Sequence, residues 1–401
     1  MDASGLPPRF DALDPAVLED PYPTYARLRA AGPLCRFGPG SWGVTRHADV
    51  VALQRDPRLG SEFPEAYHHL SVGAGPASHF FQRIMLYRDP PDHVRLRRLM
   101  SGAFTPAVVR RMRGYIEQTV DDLLAPALES GSCDVVRELA YPLPVLVVST
   151  LMGIPPEAHD DVRLHAMRLG RAFSAIVPAD ARDAAHESVE WLRGYIGGLL
   201  DERRKAPGDD LLSTLLQAED DGDRLSHDEI VDNTVFSFFA GFETTVHLIT
   251  NGFAALLRAP DQFALLRTDP GLVPGAVEEF LRFEAPIQGT ARLVREPVTI
   301  GSRTVRAGRV LVLMLGSANH DEAVFHDPGT LDVTRNPNPH VTFGGGGHLC
   351  LGAFLARTEA QVVFDWVLRR TRSVEQAGDL VRESDTPFRA FAHVPLAIKP
   401  A

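Results

Sequence analysis

The sequence predicts a mainly α-helical protein, and three observations support that prediction. Predominantly helical segments extend from His93 to about Leu266. Within them an otherwise apolar helix begins near Asp228, and a further apolar helix follows Cys350. Helix-breaking stretches separate the segments, at Pro155-Pro156, at Pro178 and at the acidic residues 219–223.

The region before the first long helical segment has a weaker pattern. Residues 42–47, Trp-Gly-Val-Thr-Arg-His, are predicted to form a β-strand. Residues 59–88 show no clean periodicity and are interrupted by Gly73, Gly75 and Pro76. We therefore predict a long loop with short helical pieces there. Loops of that length inside a compact protein tend to be functional.

Composition restricts the class of protein. The chain has 401 residues, of which 44% are hydrophobic, so it can bury a large core, and its length would ordinarily give two or three domains. A formal net charge of -11 argues against nucleic acid as a partner. Three cysteines without evident pairing indicate a reducing compartment, here the cytoplasm. Neither a signal peptide nor an apolar run long enough to cross a bilayer is visible.

Residues 343–352, Phe-Gly-Gly-Gly-Gly-His-Leu-Cys-Leu-Gly, are the most informative segment. A thiol becomes an anion near neutrality only where something stabilises the charge. Here the backbone N–H groups of the glycine loop and the positive end of the following helix are available to Cys350. The glycines let the main chain approach a flat ligand, and Phe343 supplies an aromatic wall for the sulfur. A flat ligand that takes an axial cysteinate is haem.

Three other interpretations of this segment are open. A phosphate-binding loop would carry Lys-Ser or Lys-Thr where this chain has His348 and Leu349. A zinc site would need several Cys or His ligands, yet Cys35 and Cys133 are isolated and distant in sequence. The last interpretation is a flexible turn with a buried core cysteine, which leaves the glycine run without a purpose.

The segment resembles the signature of the cytochrome P-450 family, Phe-Gly-x-Gly-x-His-x-Cys-x-Gly, at every fixed position. The resemblance covers nearly the whole chain and implies one domain over residues 1–401, with a large helical body and a smaller β-rich lobe. Haem b would lie between the long oxygen-groove helix and the cysteine-loop helix, with Cys350 as the only protein ligand to iron. The remaining loop contacts implied by the resemblance are Phe343, Gly344, His348 and Gly352.

Residues 240–245, Ala-Gly-Phe-Glu-Thr-Thr, put polar groups inside an apolar helix. Gly and Thr are poor helix formers, and a buried acid must lose its water. One interpretation is a kinked helix whose threonine hydroxyls bond back to the preceding turn. The stretch also resembles the family's oxygen-binding groove, where the turn that contains glycine, here Gly241, opens the helix against the haem, and Ala240 and Gly241 line it. That resemblance implies that Thr244 steadies iron-bound oxygen and that Glu243 relays protons to it.

Two further sets of residues are assigned by the resemblance. Glu279 and Arg282, at i and i+3 on one helix face, would form with Arg335 a structural triad that holds the haem loop in register. The haem propionates would be bound by a second set, in which the first two members lie at i and i+4. This set consists of His93, Arg97, Arg292 and His340.

The resemblance also indicates which segments line the substrate pocket. They are the loop of residues 72–87, the turn at residues 173–177, the groove helix, the stretch of residues 287–290, and a residue near the end of the chain. The individual pocket residues are Leu86, Phe173, Phe236, Phe239, Ala240, Ile287, Thr290 and Phe391. Because they are mostly apolar, we expect a hydrophobic ligand without a charged anchor.

The implied activity is that of a soluble bacterial haem-thiolate monooxygenase. Such an enzyme inserts one atom of O2 into an apolar small molecule, by hydroxylation or epoxidation. Similarity to actinobacterial tailoring enzymes favours a polyketide or other secondary metabolite. Oxidative coupling or ring formation by the same haem is an alternative. A non-catalytic haem sensor or carrier is another, against which the intact Glu243-Thr244 pair argues.

A basic zone predicts the electron donor. Residues 93–113 contain six arginines and one histidine but no acid, although the chain as a whole is acidic. Such a run is commonly a solvated helix face. Arg98, Arg110, Arg111 and Arg113 cannot all share the haem-facing side at helical spacing, so an acidic ferredoxin, supplied by a ferredoxin reductase, could dock there. We expect the enzyme to be a monomer.

Overall fold

The computed structural model describes residues 6–174, 177–217, 219–220, 223–383 and 386–401. It has a large helical part and a smaller β-rich part, as predicted. The helices are α1 Pro15–Glu19, α2 Tyr22–Ala31, α3 His47–Leu53, α4 Glu65–Val72, α5 Pro76–Arg83, α6 Asp92–Ser101, α7 Pro106–Ser130, α8 Pro142–Met152, α9 His159–Gly170, α10 Ala179–Lys205, α11 Leu211–Gln217, α12 His227–Arg258, α13 Pro260–Thr268, α14 Val273–Phe283, α15 Leu315–Ala318 and α16 Ala353–Arg370.

The strands are short. They are β1 Leu34–Gly38, β2 Ser41–Val44, β3 Leu59–Gly60, β4 Ser132–Asp134, β5 Glu219–Asp220, β6 Asp223–Arg224, β7 Thr290–Val294, β8 Val298–Ile300, β9 Arg303–Val305, β10 Val310–Leu313, β11 Thr371–Gln376, β12 Val381–Arg382, β13 Phe391–His393 and β14 Pro395–Pro400. One sheet has the order β1-β2-β10-β7-β3, in which only the β2/β10 pair is parallel.

Two apolar cores correspond to the two parts. The larger surrounds α12 and includes Phe238, Phe253, Phe280 and Phe364, each of which is almost fully buried. The smaller lies under the five-stranded sheet, with Leu311 and other aliphatic side chains. Since α12 packs against α8, α10, α14 and α16, its residues are held from several sides.

Most of the predicted elements are present, with one shorter than expected. Helix α12 begins at His227, next to the predicted start, because Ser226 and Glu229 form a reciprocal capping box. Residues 59–88 contain β3, α4, α5 and a single-turn helix at Met85–Tyr87, which agrees with the predicted loop and helical pieces. The predicted strand at 42–47 ends at Val44, since α3 starts at His47.

No helix among the described residues combines the length and apolar character that a membrane crossing requires.

Candidate active site

One face of α12 is open, whereas the rest of that stretch of helix is buried. Within residues 230–256 the partly exposed positions are Phe236, Ala240, Gly241 and Thr244. Their spacing puts them on one side of the helix, because an α-helix turns once every 3.6 residues. The structure therefore brings the predicted oxygen groove and one predicted pocket residue onto a single face, which we call the open face.

The threonines of this stretch bond back to the preceding turn. Thr244 Oγ1 donates to the carbonyl of Ala240 at 2.9 Å, and Thr245 Oγ1 donates to that of Gly241 at 3.1 Å. The helix stays continuous, so the expected opening at Gly241 is not seen. Gly241 serves close packing instead, since a β-carbon there would lie 3.1 Å from Val148 Cγ2. The groove consists of small side chains and one hydroxyl rather than a break.

Glu243 is buried at the border of the open face. Its Oε1 lies 3.4 Å from Nε2 of His247, one turn further along α12. Its Oε2 has no hydrogen-bond partner in the part of the chain that the structure describes. Sequence reasoning assigned Glu243 to proton delivery but missed His247. The i, i+4 spacing was the available signal, yet such pairs are common on solvated helix faces.

The cysteine loop is folded tightly. Cys350 N donates to the carbonyl of Phe343 at 2.9 Å, which closes the loop on itself. Gly344 and Gly346 have φ values of 70° and 64°, a conformation that favours glycine. Gly346 also packs on the α3 end, because a β-carbon there would lie 2.4 Å from the carbonyl oxygen of Gln54. The glycine run is therefore required by backbone shape.

The Cys350 thiol is accessible, whereas Cys35 and Cys133 are buried. The interpretation of Cys350 as a buried core cysteine is therefore wrong. Desolvation by the surrounding protein raises the pKa of Cys350, and the N–H of Gly352 and the positive charge of Arg97 act in the opposite direction. A bound metal ion would hold such a thiol as thiolate. Among the described residues no group of three or more His, Cys, Asp or Glu side chains forms a multi-ligand metal site.

Four basic side chains gather next to this loop, and we call them the cation cluster: His93, Arg97, Arg292 and His348. The rings of His93 and His348 lie 4.0 Å apart between centroids. Arg97 Nη2 donates to the carbonyl of Leu349 at 2.6 Å, which ties α6 to the cysteine loop. Within the part of the chain that the structure describes, the side chain of Arg292, on β7, donates only to Thr290 Oγ1 and to the carbonyl of Ala291.

The cation cluster has no carboxylate paired with it among the described residues. Desolvation, followed by His93 and the two arginines, lowers the pKa of His348 to about 3. Desolvation and then Arg97 also lower the pKa of His93, whose buried Nε2 has no partner. Desolvation lowers the pKa of Arg292, and the negative charge of Asp89 acts in the opposite direction. Mutually repelling donors of this kind fit an anionic ligand such as a pair of haem propionates.

His340 does not join the cation cluster, contrary to the prediction. Its Nε2 lies 3.0 Å from Glu278 Oε2, and Thr342 N donates to its Nδ1 at 3.3 Å. With both ring nitrogens engaged, His340 has none left for a propionate. His348, predicted only as a loop contact, takes the fourth place in the cluster.

A second group of charges, all paired, lies behind the loop, and we call it the scaffold cluster. Arg282 donates twice to Glu279 at 2.7 Å, and Arg335 Nε donates to the same carboxylate at 3.1 Å. The predicted triad is thus brought together, with Glu279 and Arg282 fully buried. The preceding residue, Glu278, accepts hydrogen bonds from Arg357 of α16 at 2.7 and 2.8 Å. Helix α14 is therefore joined to both sides of the cysteine loop.

Asn319, which sequence reasoning did not identify, fixes the approach to the loop. Its Nδ2 donates to Thr342 Oγ1 at 2.8 Å, and its Oδ1 accepts from Val341 N at 2.8 Å. Thr342 Oγ1 in turn donates to the carbonyl of Leu281 at 2.6 Å. An isolated Asn carries no sequence pattern that would predict such a bridge.

Three of the predicted pocket residues form an aromatic group centred on Phe173. Its ring lies 5.0 Å from Phe239 and 6.1 Å from Phe236, and it meets Phe81 edge-on at 4.9 Å. Phe239 is buried and supports the others rather than facing outward. Phe81, from α5, was not predicted individually, although it falls within the loop of residues 72–87.

The other pocket predictions differ in outcome. Leu86, Ile287 and Thr290 are partly exposed, as pocket residues should be. Phe391 is buried beneath the guanidinium of Arg382, 3.9 Å from its ring centre, so it does not line the pocket. Residues 175 and 176 of the predicted turn lie outside the described residues.

Phe388 takes the place of Phe391. It is partly exposed, and its ring lies 6.0 Å from Phe239 and 5.4 Å from His247. The two phenylalanines are three residues apart, Phe388 in an irregular stretch and Phe391 at the start of β13, and no periodicity predicts which of them faces inward.

An accessible cysteine in a glycine loop, unpaired cations beside it and a small-residue groove on a buried helix form one consistent arrangement. The family model described as Cytochrome P-450 matches residues 31–269 and 271–399. The chain belongs to the cytochrome P-450 family. It is accordingly a haem-dependent monooxygenase that uses haem b and O2.

Curated relatives and solved structures match over almost the full length. The chain is 38% identical to the vitamin D(3) 25-hydroxylase of Pseudonocardia autotrophica, over 98% of this chain and 97% of that protein. It is 36% identical to the 6-deoxyerythronolide B hydroxylase of Saccharopolyspora erythraea, over 94% and 96%. The structure of CalO2 superposes with a TM-score of 0.92 at 35% identity, covering 98% of this chain and 99% of that one. Epothilone D-bound P450epoK gives 0.90 at 32% identity, with the same coverage.

Proposed function

We propose that this cytochrome P-450 hydroxylates or epoxidises an apolar secondary metabolite, with a polyketide as the first candidate. The observation that supports this most directly is the open face of α12 beside the Phe173 aromatic group, which presents no charged side chain. An apolar wall with few polar groups favours a hydrophobic ligand. Relatives named for 6-deoxyerythronolide B and for bound epothilone D point the same way.

The residues that would hold the haem are those whose chemistry fits it. Cys350 would be the iron ligand, because it is the accessible thiol among the three cysteines. The cation cluster would bind the propionates through Arg97, Arg292 and the two histidines. When bound, haem supplies the iron centre at which dioxygen is activated.

Thr244 and Glu243 would govern proton supply on the distal side. The Thr244 hydroxyl sits on the open face and already donates to Ala240, so it is placed to exchange that bond for one to a ligand. Glu243 is the acid nearest to it in the helix. The adjacent Thr245 makes the same back-bond, to Gly241, but is buried.

Thr245 therefore provides a matched control for Thr244. With a chemical or protein reductant, Thr244→Ala should keep oxygen consumption but divert it to hydrogen peroxide, so that product per oxygen falls about tenfold or more. Thr245→Ala should retain wild-type coupling. Equal coupling in the two variants would remove Thr244 from this role.

Cys350 is tested by spectroscopy. The reduced, carbon-monoxide-bound protein should show the long-wavelength Soret band of thiolate ligation, and Cys350→Ser should lose it. Retention of that band in the variant would overturn the ligand assignment.

The substrate class is tested by ligand screening. Macrolide, steroid and fatty-acid sets should be compared by the spectral shift that follows loss of water from the iron's sixth position. We expect the macrolides to bind best, and Phe236→Ala to weaken that binding about tenfold. Phe253→Leu, a buried change elsewhere on α12, is the control. A preference for the fatty acids would exclude the polyketide proposal.

We also propose that an acidic ferredoxin docks where α6, α16 and the cysteine loop meet. Apolar side chains are exposed there, since Leu349 is 47% and Phe354 is 39% exposed. Arg98, Arg110 and Arg111 are exposed on α6 and α7 nearby. An apolar centre with a cationic rim suits a transient acidic partner.

Docking is tested by charge reversal. Reduction by a ferredoxin should slow as ionic strength rises, and slow further in Arg110→Glu/Arg111→Glu, because long-range attraction is lost. Arg306→Glu, on the exposed hairpin of β8 and β9, carries half that charge change at a different surface and should have little effect. Indifference to salt and to the α7 reversal would place the docking surface elsewhere.

A further inference from the structure

The side chains of Glu243 and His247 form a buried titratable pair whose polar atoms are mostly unsatisfied. Glu243 Oε1 and His247 Nε2 are 3.4 Å apart, and His247 is 1% exposed. Glu243 Oε2 and both ring nitrogens of His247 make no hydrogen bond within the described residues. Leaving such atoms buried and unpaired is costly, so the pair requires an explanation.

Two other buried polar residues of α12, Asp232 and Asn233, are explained by their partners. Asp232 accepts from Arg83 at 2.5 Å and also from Arg193. Asn233 accepts from Met85 N at 2.7 Å. These contacts join α12 to α5, to α10 and to the single-turn helix at Met85–Tyr87. The Glu243–His247 pair joins nothing in this way, so structural bridging does not account for it.

The pair borders the open face. Glu243 and His247 follow Ala240 by three and seven residues, which puts them along one side of the helix with Thr244 between them. The ring of Phe388 packs on His247, with 5.4 Å between centroids. A proton held by the pair is thus close to the Thr244 hydroxyl and shielded by an apolar ring.

Tyr141, at the start of α8, is a titratable group of another element that interacts with Glu243. Desolvation, followed by the charges of Glu243 and Glu383, raises the pKa of Tyr141, while Arg163 opposes the shift. Tyr141 itself is partly exposed. No charged partner of His247 other than Glu243 lies within ion-pair distance among the described residues.

We propose that His247 positions Glu243 and restores its proton, so that Glu243 can deliver protons repeatedly beside Thr244. In this step the protonated imidazole gives its Nε2 proton to Oε1 of the Glu243 carboxylate. The O–H bond forms as the N–H bond breaks, and the neutral imidazole is then reprotonated by a hydronium ion of the solvent, which becomes water. No electron is transferred. The role rests on the monooxygenase function proposed above.

The first experiment compares two substitutions of His247 in the haem-loaded enzyme. His247→Phe keeps a ring against Phe388 but removes both nitrogens, whereas His247→Gln keeps one donor. We expect product per oxygen to fall about tenfold in His247→Phe and the solvent deuterium isotope effect on product formation to rise, with His247→Gln intermediate. Thr234→Val, which removes another unpartnered buried hydroxyl from α12, should behave as wild type.

The second experiment needs no turnover. Urea midpoints of the reduced, carbon-monoxide-bound protein are measured for Glu243→Gln, His247→Phe and the double variant. If the two side chains interact, the double change shifts the midpoint by less than the sum of the single shifts. Additive midpoints, or wild-type coupling in His247→Phe, would overturn the proposal. A protein that shows the pairwise interaction but consumes no oxygen with any reductant would instead contradict the proposed function.

Discussion

The scaffold cluster and the cation cluster both contain basic side chains, but among the described residues only those of the scaffold cluster are paired with carboxylates. In the scaffold cluster, buried arginines meet carboxylates at hydrogen-bond distance, as Arg282 meets Glu279. In the cation cluster, Arg292 is almost as buried but has no acid at ion-pair distance among the described residues. Both clusters border the cysteine loop, one behind it through α14 and α16, the other through α6 and β7.

The difference separates what holds the fold from what awaits a ligand. A buried charge with a well-placed partner contributes little net energy, yet losing the partner is strongly destabilising. A buried cation without a partner is itself a destabilising feature of the protein alone. Such a feature is consistent with a ligand that brings the missing negative charge.

The largest effect is expected in the scaffold cluster. Arg282→Lys should lower the free energy of unfolding by about 3–5 kcal/mol, because Glu279 and three carbonyls lose the planar donor that binds them. Urea unfolding of the haem-loaded protein measures it. Arg204→Lys is the control, since Arg204 pairs with Asp201 at the same i, i+3 spacing on an exposed face. A similar loss in both would deny the scaffold cluster any special role.

The sequence was informative about this cluster and about Cys350 for the same reason. Both depend on residues close together along the chain, where helical spacing or a loop motif fixes the geometry in advance. Glu279 and Arg282 share a helix face whatever the fold, and the glycine run around Cys350 excludes most other backbone shapes. Of the predicted triad, only Arg335 had to be brought from a distance.

Ring orientation could not be predicted in the same way. His340 and His348 flank one loop, and Phe388 and Phe391 are three residues apart around the start of β13, so either member of each pair could have faced inward. Long-range neighbours decided the matter: Glu278 takes His340, and Arg382 covers Phe391. His247 was missed because nothing in sequence tells a buried i, i+4 pair from an exposed one.

The second prediction is for a substitution that, unlike Arg282→Lys, should not lower the free energy of unfolding of the haem-free protein. Arg292→Gln should accelerate haem release to apomyoglobin about tenfold, through loss of a charge-assisted bond to an anion. In the haem-free protein the same change should leave the free energy of unfolding unchanged or higher, because a desolvated, repelled cation has been removed.

The comparison between the clusters fails if Arg292→Gln weakens the haem-free protein as Arg282→Lys does. Arg295→Gln is the matched control. Arg295 is three residues away and pairs with Asp89, so its loss should affect stability slightly and haem release hardly at all.

The third prediction concerns pH. Desolvation would raise the pKa of Glu278, but hydrogen bonds from Arg357 and His340 outweigh it and lower the pKa from 4.5 to about 2. The stabilisation from this depressed pKa is complete above about pH 4.5 and is lost as the pH falls towards 2. The stability gap between wild type and Glu278→Gln should therefore narrow across that interval, in urea unfolding at fixed salt.

The pH dependence has an internal control in the exposed pair of Arg113 and Glu117. Glu117→Gln should change stability by well under 1 kcal/mol at every pH, because exposed ion pairs are weak. A gap for Glu278→Gln that stays constant from pH 6 to pH 3 would show that the hydrogen bonds to Arg357 and His340 do not depend on its charge.

The smallest effect, and the sharpest division between the clusters, is expected at His340. By sequence position His340 and His348 were both candidates for contact with haem, but in the structure His340 bonds to Glu278, and the ring of His348 lies against that of His93. His340→Asn should therefore leave haem release within about twofold of wild type and lower stability slightly, since the Glu278 bond is partly exposed. His348→Asn should release haem several-fold faster with little loss of stability in the haem-free protein. Both variants are measured by haem transfer and by urea unfolding. If the two histidines are wrongly assigned, His340→Asn will release haem faster and His348→Asn will not, because haem release depends on the histidine that contacts a propionate.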